Sequence, residues 1–127
     1  MIELTKASIQ KFLENKELEL TATHKKLSIP IIYRIYKKMS VDIKFDDIKV
    51  CGDLIIDGHH RYVSSILAGK SLGRVPSSKT RATRSRAWSD VDFVQEEWDT
   101  PEKIYELNQQ DAEFNSISLE RLIEITS

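Results

Sequence analysis

The apolar positions of this chain fall mostly at helical spacing, interrupted by short runs that alternate or cluster as strands do. Behind Thr5, whose hydroxyl can cap the amides of the next turn, Ile9, Phe12 and Leu13 share one face and predict a first helix. Glu17 to Ala22 reads as a short strand with Leu18 and Leu20 on one side. Ser28 predicts the cap of a second helix, with Pro30 tolerated in its first turn. Ile32, Ile35, Tyr36 and Met39 form its expected buried stripe, and Arg34, Lys37 and Lys38 its solvated face. Ile48–Cys51 and Leu54–Ile56 predict two strands turning at Gly52-Asp53. Val63, Ile66 and Leu67 then mark a third helix that Gly69 ends. Residues 70–87 read as a loop, Val91 and Phe93 as a strand. Thr100-Pro101 opens a helix carrying Ile104 and Leu107, and Ser118 to Ile125 makes a last short one. The expected class is α+β, a small mixed sheet surrounded by about five helices. No repeat, low-complexity tract or linker divides the chain, so residues 1–127 are expected to form a single domain.

Composition adds limits. A length of 127 residues with 40% apolar content is enough for a real core without disulfides or metal. The single cysteine, Cys51, excludes an internal disulfide framework and is compatible with a reducing cytosol. No apolar run approaches the roughly 18 residues of a membrane span, and no signal-peptide profile opens the sequence.

The formal net charge of −1 conceals a segregation. Residues 1–60 are nearly balanced. Arg61, Lys70, Arg74, Lys79, Arg81, Arg84 and Arg86 follow with no acid before Asp90, and residues 90–127 hold eleven acids against Lys103 and Arg121. Such a basic block is a footprint for phosphate or nucleic acid, or else a loop that docks on the chain's own acidic last third.

The densest chemistry lies at Asp57-Gly58-His59-His60-Arg61, between a strand and a helix. A helix start offers unpaired amides and the positive end of the macrodipole, and so attracts anions. Gly58 permits close backbone approach to a ligand, and Arg61 supplies a planar charged fork suited to phosphate. Asp57 is by default a helix cap, or else it orients an imidazole. His59 and His60 are two of three histidines in the chain. No metal site is expected, because adjacent histidines point apart and His24 and Cys51 stand isolated.

The run Leu54-Ile55-Ile56-Asp57-Gly58-His59-His60-Arg61-Tyr62 resembles the core motif of the ParB/sulfiredoxin superfamily, in which a strand enters a glycine turn and helix with a Gly-x-x-Arg pattern. The likeness covers about the middle third of the chain. It implies a turn and helix start that hold nucleotide phosphates, with Arg61 at the motif's arginine. Pro76 to Thr83, Trp88, Trp98 to Ile104 and Leu107-Asn108 look like the ParB-like domains at the C-terminal ends of bacterial polymorphic toxins. That narrower likeness implies an effector acting in a target cell's cytoplasm, delivered as part of a secreted toxin, with a cognate immunity protein as partner. Sulfiredoxin has Cys where this chain has His59, which argues against sulfinic acid reduction. Partitioning proteins have Glu-Arg in place of His59-His60 and add a helix-turn-helix domain for which this chain has no room.

Three readings follow. In the first, an enzyme attacks a phosphodiester or a nucleotide phosphoanhydride. His59 or His60 would be general base, Asp57 would set the imidazole tautomer, and Arg61 with the helix amides would stabilise charge. Lys79, Arg81 and Arg84 would clamp flanking phosphates, with Thr80 and Thr83 adding hydroxyl donors. A nuclease fits the basic stretch; transfer from ATP or CTP would require Mg²⁺, with Asp53 or Asp57 as ligand. The second reading is a non-catalytic nucleotide- or DNA-binding regulator. The third is an immunity-type interaction module whose basic loop meets an acidic partner.

Overall fold

The computed structural model describes residues 4–127, so of the expected span 1–127 residues 1–3 lie outside the description. The order is α1 (Lys6–Glu14), β1 (Lys26–Ser28), α2 (Ile29–Ser40), β2 (Ile48–Cys51), β3 (Leu54–Asp57), α3 (His59–Ala68), β4 (Arg74–Pro76), β5 (Asp92–Val94), α4 (Pro101–Phe114) and α5 (Leu119–Thr126). A 3₁₀ turn at Trp88–Asp90 precedes β5. Five helices and two small sheets make the described part an α+β fold.

Local chemistry accounts for most helix starts. Thr5 and Ser8 form a reciprocal capping box on α1, and Ser28, Thr100 and Ser118 each accept an amide hydrogen bond at the head of α2, α4 and α5. Gly69 ends α3 in the left-handed conformation, its N–H bonded back to the helix.

Strands β2, β3 and β5 form where the sequence predicts them, and the others depart from expectation. The expected strand at Glu17–Ala22 is absent; only Thr21 and Ala22 make isolated bridges, to Leu54 and Arg86. Leu18 and Leu20 pack into different apolar clusters, which a single strand face would not allow. In place of one sheet there are two: a parallel pair β1–β5, and a three-stranded sheet in the order β3-β2-β4. β4 arises inside the expected loop of residues 70–87 and runs parallel to β2, although all three of its residues are exposed. No apolar alternation marks it, because it lies on the sheet's edge and hides nothing.

Leu27 and Phe93, opposite each other in the β1–β5 register, are buried with Ile9, Leu13, Ile32 and Val63 between α1, α2 and α3. A second cluster, Leu20, Ile48, Ile55 and Tyr62, joins the three-stranded sheet to α3. A third, Ile43, Ala112 and Leu122, seats the α4–α5 pair. Helices α2 and α3 pack closely across the fully buried Ser64, whose hydroxyl lies 3.0 Å from the Ile32 carbonyl and 2.6 Å from the His60 carbonyl.

The polar face expected for α2 is corrected. Lys38 is buried, and its ammonium meets Asp111 of α4 at 2.7 Å. Arg34 is mostly covered and pairs with Glu97 and Asp99. The partners come from α4 and the segment leading into it, which a reading of the α2 residues alone cannot anticipate. Truncating one partner of a buried pair strands the other charge, so Lys38→Ala should cost about 3 kcal/mol in urea unfolding. Lys38→Met with Asp111→Leu should recover most of that loss. A Lys38→Ala protein as stable as the wild type would exclude the pair as a structural anchor.

Candidate functional site

The turn after β3 brings the strand into α3 through Gly58, at φ +107°. A Cβ at this position would collide with the Ile48 Cγ2 methyl and stand 2.9 Å from Ile48 Cβ, so the turn closes only around glycine. Asp57 does not cap the helix. Among the five described helices α3 is the one whose first turn has no side-chain cap, and Gly58 takes the N-cap position. Its opening amides are left unclaimed by side chains.

The two histidines diverge, as adjacent residues on a helix must. His59 is 2% exposed and turns inward, stacking on His24 with ring centroids 3.9 Å apart. The Thr23 backbone N–H donates to its Nε2 at 2.9 Å. His60 turns the other way: the Ser28 backbone N–H donates to its Nε2 at 3.0 Å, and Trp98 meets its ring edge-on. A backbone N–H can only donate, so both Nε2 atoms accept and the proton of each neutral ring sits on Nδ1. The Nδ1 of His59 is buried without a partner. Burial, reinforced by the neighbouring His24 and His60, pushes the His59 pKa down to about 3. Burial first, then His24, lowers His60 to about 4, with Asp99 opposing and Arg34 adding to the shift. Both rings are therefore neutral near pH 7, with the Nε2 lone pair engaged. In this arrangement neither imidazole has a free Nε2 to accept a substrate proton, and Asp57 sets neither tautomer.

Asp57, Gly58, His60 and Arg61 line a cleft of about 490 Å³ between α2, α3 and α4. Its lining is apolar at Ile31 and Ile35 of α2, at Phe45, and at Ile104, Leu107 and Phe114 of α4; Arg34, Asp99, Asn108 and Asp111 add polar groups. Ile35, expected in the core stripe of α2, faces this cleft. Arg61 Nη1 donates to the carbonyls of Asp46 and Asp47 at 3.0 and 3.2 Å, which braces the chain entering β2. Its contact with Asp57 is loose, at 3.5 Å, and the Asp57 carboxylate is largely exposed. Arg34 is held firmly by Asp99 at 3.0 Å and by Glu97, whose pKa is lowered chiefly by the Arg34 hydrogen bond. Arg61 is thus the cation of the cleft most readily given to a ligand. His59 does not line the cleft.

The basic loop lies elsewhere. Lys79, Thr83 and Arg84 border a separate shallow cavity with Thr21, Asp53 and Leu54, at the hairpin end of β3 opposite Asp57. None of Lys79, Thr80, Arg81, Thr83 or Arg84 lines the cleft, so the expected clamp of flanking phosphates around the glycine turn is not assembled. The threonine hydroxyls serve the loop itself: Thr83 Oγ1 accepts from the Thr80 N–H at 3.0 Å, and Thr80 Oγ1 from the Ala82 N–H at 3.2 Å. Nor does the loop dock on the acidic last third, for none of Lys79, Arg81, Arg84 and Arg86 forms an ion pair among the described residues.

Arg34, Asp99 and Asn108 were not expected at the site. Asp99 belongs to the Trp98–Ile104 run that carried part of the family likeness, and that is the signal that could have found it. Arg34 gave none, since a charged residue on the polar side of a helix reads as solvated. Among the described residues no group of three or more His, Cys, Asp or Glu is placed to hold a metal ion, and no helix is long and apolar enough to cross a membrane. Comparisons with family models, with curated proteins and with solved structures gave no significant match.

Proposed function

We propose that this chain is a phosphate-handling enzyme domain that takes a nucleotide in the cleft between α2, α3 and α4 and cleaves or transfers its terminal phosphate. The observation that carries the reading is the uncapped first turn of α3, open beside Arg61 in a cleft with a partly apolar lining. Helix amides and a guanidinium suit phosphate oxygens, and the apolar side chains of the lining suit a base. The order of strand, glycine turn and helix also supports the ParB/sulfiredoxin-like reading, and the toxin-effector type rests on the narrower likeness of the segments between Pro76 and Asn108. The distance of the basic loop from this turn favours a nucleotide substrate over a nuclease's polymer in the cleft.

The roles shift accordingly. Asp57, exposed at the phosphate end, replaces the histidines as the general base. His60 contributes an Nδ1–H donor or the shape of the pocket, and His59 anchors the turn from behind. The cleft lining carries Asp46, Asp57, Asp99 and Asp111 against Arg34, Lys38 and Arg61, so a polyphosphate is better received with its own divalent cation. Mg²⁺ would be held chiefly by the phosphate oxygens and would supply charge neutralisation, leaving the Asp57 carboxylate free as the base.

Calorimetric titration with ATP and CTP, with and without Mg²⁺, tests the binding. Arg61→Ala should weaken binding at least about tenfold, the loss of one hydrogen bond to a charged group. Asp57→Asn should lower product formation by at least about a hundredfold while still binding nucleotide. Failure of both nucleotides to bind, or an Arg61→Ala protein that binds as well as wild type at an unchanged melting temperature, would overturn the reading. The engagement of both Nε2 atoms favours one alternative, a non-catalytic nucleotide sensor. It predicts Arg61-dependent binding with no product on prolonged incubation.

A further inference from the structure

Of the seven cations between Arg61 and Ser89, Arg61 belongs to the cleft, Lys70 pairs with Asp42 at 2.6 Å, and Arg74 with Glu19 at 2.9 Å. Lys79, Arg81, Arg84 and Arg86, all within eight residues, have no carboxylate partner among the described residues. Like charges held this close repel one another, and a chain with twenty acids elsewhere has had ample means to neutralise them. The loop is also built. Its entry is fixed by the Ser77 N–H on the Val50 carbonyl at 2.7 Å, and its exit by the Arg86 N–H on the Ala22 carbonyl at 2.8 Å. The Thr80–Thr83 turn closes its tip, and Arg84 donates to the carbonyls of Arg81 and Thr83. Much of the entropy of ordering the loop backbone is therefore already spent in the free protein.

We infer that this loop is a docking surface for the phosphate backbone of double-stranded nucleic acid, separate from the cleft. The composition of residues 77–87 decides the partner's class. It holds Ser, Thr, Lys and Arg, and its only apolar side chains are Ala82 and Ala87. A protein interface draws its affinity from buried aromatic or large apolar anchors, and this loop has none. A single strand is held by aromatic platforms on which bases stack, and those too are missing from the loop. Cations interleaved with small hydroxyl side chains suit evenly spaced phosphates and carry no means of reading bases. Binding is therefore insensitive to sequence, and it does not depend on the nucleotide reading of the cleft.

The test is fluorescence anisotropy of a labelled 20-base-pair duplex of arbitrary sequence, titrated with the full chain between 25 and 200 mM salt. Four phosphate contacts predict a log–log salt slope of about −3.6. Lys79→Ala/Arg81→Ala/Arg84→Ala should bring the slope to about −0.9, with unchanged nucleotide binding in the cleft. Lys79→Gln/Arg81→Gln, which leaves Arg84 and its loop hydrogen bonds in place, should give a slope of about −1.8. A second duplex of different sequence should bind within about threefold of the first. No duplex binding at 25 mM salt, or a salt slope unmoved in both variants, would overturn the inference. So would tighter binding to an unpaired strand of the same length, or to polyglutamate, each of which would point to the other class of partner.

Discussion

Lowering the pH from 7.5 to 5 should remove roughly 4 kcal/mol of folding stability, most of it through His59 and His60. Both rings hold pKa values near 3 and 4 in the folded chain, against an ordinary value of 6.5. Above pH 6.5 both folded and unfolded chains carry neutral rings, and these groups impose no pH dependence. Below it the unfolded chain takes up protons that the folded chain refuses, so the unfolded state gains as pH falls. Each ring then contributes a slope of about 1.4 kcal/mol per pH unit until the folded pKa is reached. The physical cause is first the burial of both rings, which penalises the charged form, and a proton on Nε2 would in addition face the Thr23 or Ser28 N–H, donor against donor. Urea unfolding at pH 7.5, 6 and 5 measures the effect. In His59→Gln/His60→Gln, where the side-chain amide oxygen can still accept from the backbone, most of the slope between pH 6.5 and 5 should vanish. A wild-type midpoint that is the same at pH 7.5 and pH 5 would rule out neutral, engaged imidazoles.

Gly58→Ala should destabilise the protein by about 3 kcal/mol or more. A non-glycine residue held at positive φ is strained by roughly 1 to 2 kcal/mol, and a forced contact in a packed core adds a similar amount. The contact is with Ile48, which is fully buried at the centre of the second cluster and has nowhere to move. Gly52 makes the control. It also has a positive φ, +60°, but a Cβ there would meet nothing within 4 Å, so Gly52→Ala should cost only about 1 kcal/mol. Comparable losses at the two positions would show that backbone strain alone matters and that the β3–α3 turn is not pressed against Ile48. Because Gly58 also sets the start of α3, the variant that remains folded should lose nucleotide binding along with Arg61→Ala, whereas Gly52→Ala should keep it.

The elements with local causes were legible in the chain. Thr5, Ser28, Thr100 and Ser118 sit at helix heads because a hydroxyl caps amides within its own turn, an interaction three residues long. The β2–β3 hairpin and the glycine ends of α3 are equally local. So is the concentration of chemistry at Asp57 to Arg61, since adjacent residues stay adjacent in any fold. What failed was long-range. The alternation of Val91 and Phe93 marked β5, but its partner β1 is three residues long and more than sixty residues away. β4 joins β2 without burying a side chain, so neither β1 nor β4 leaves a periodic trace.

The sequence by itself determined that a glycine turn would lead a strand into a helix start bearing two histidines and an arginine. It also placed a block of unopposed positive charge downstream. Only the tertiary structure decided what each of these groups is free to do. Packing α3 against Thr23 and Ser28 filled both Nε2 lone pairs with backbone donors and left the Asp57 carboxylate exposed at the cleft. The segment leading into α4 brought Asp99 to Arg34 at the cleft, and α4 itself placed Asp111 on the buried Lys38. The path of the chain after β4 carried Lys79, Arg81 and Arg84 to the far end of β3. Hydrogen-bond occupancy, burial and distance are properties of what a side chain meets, and for these residues the partners come from segments tens of positions away.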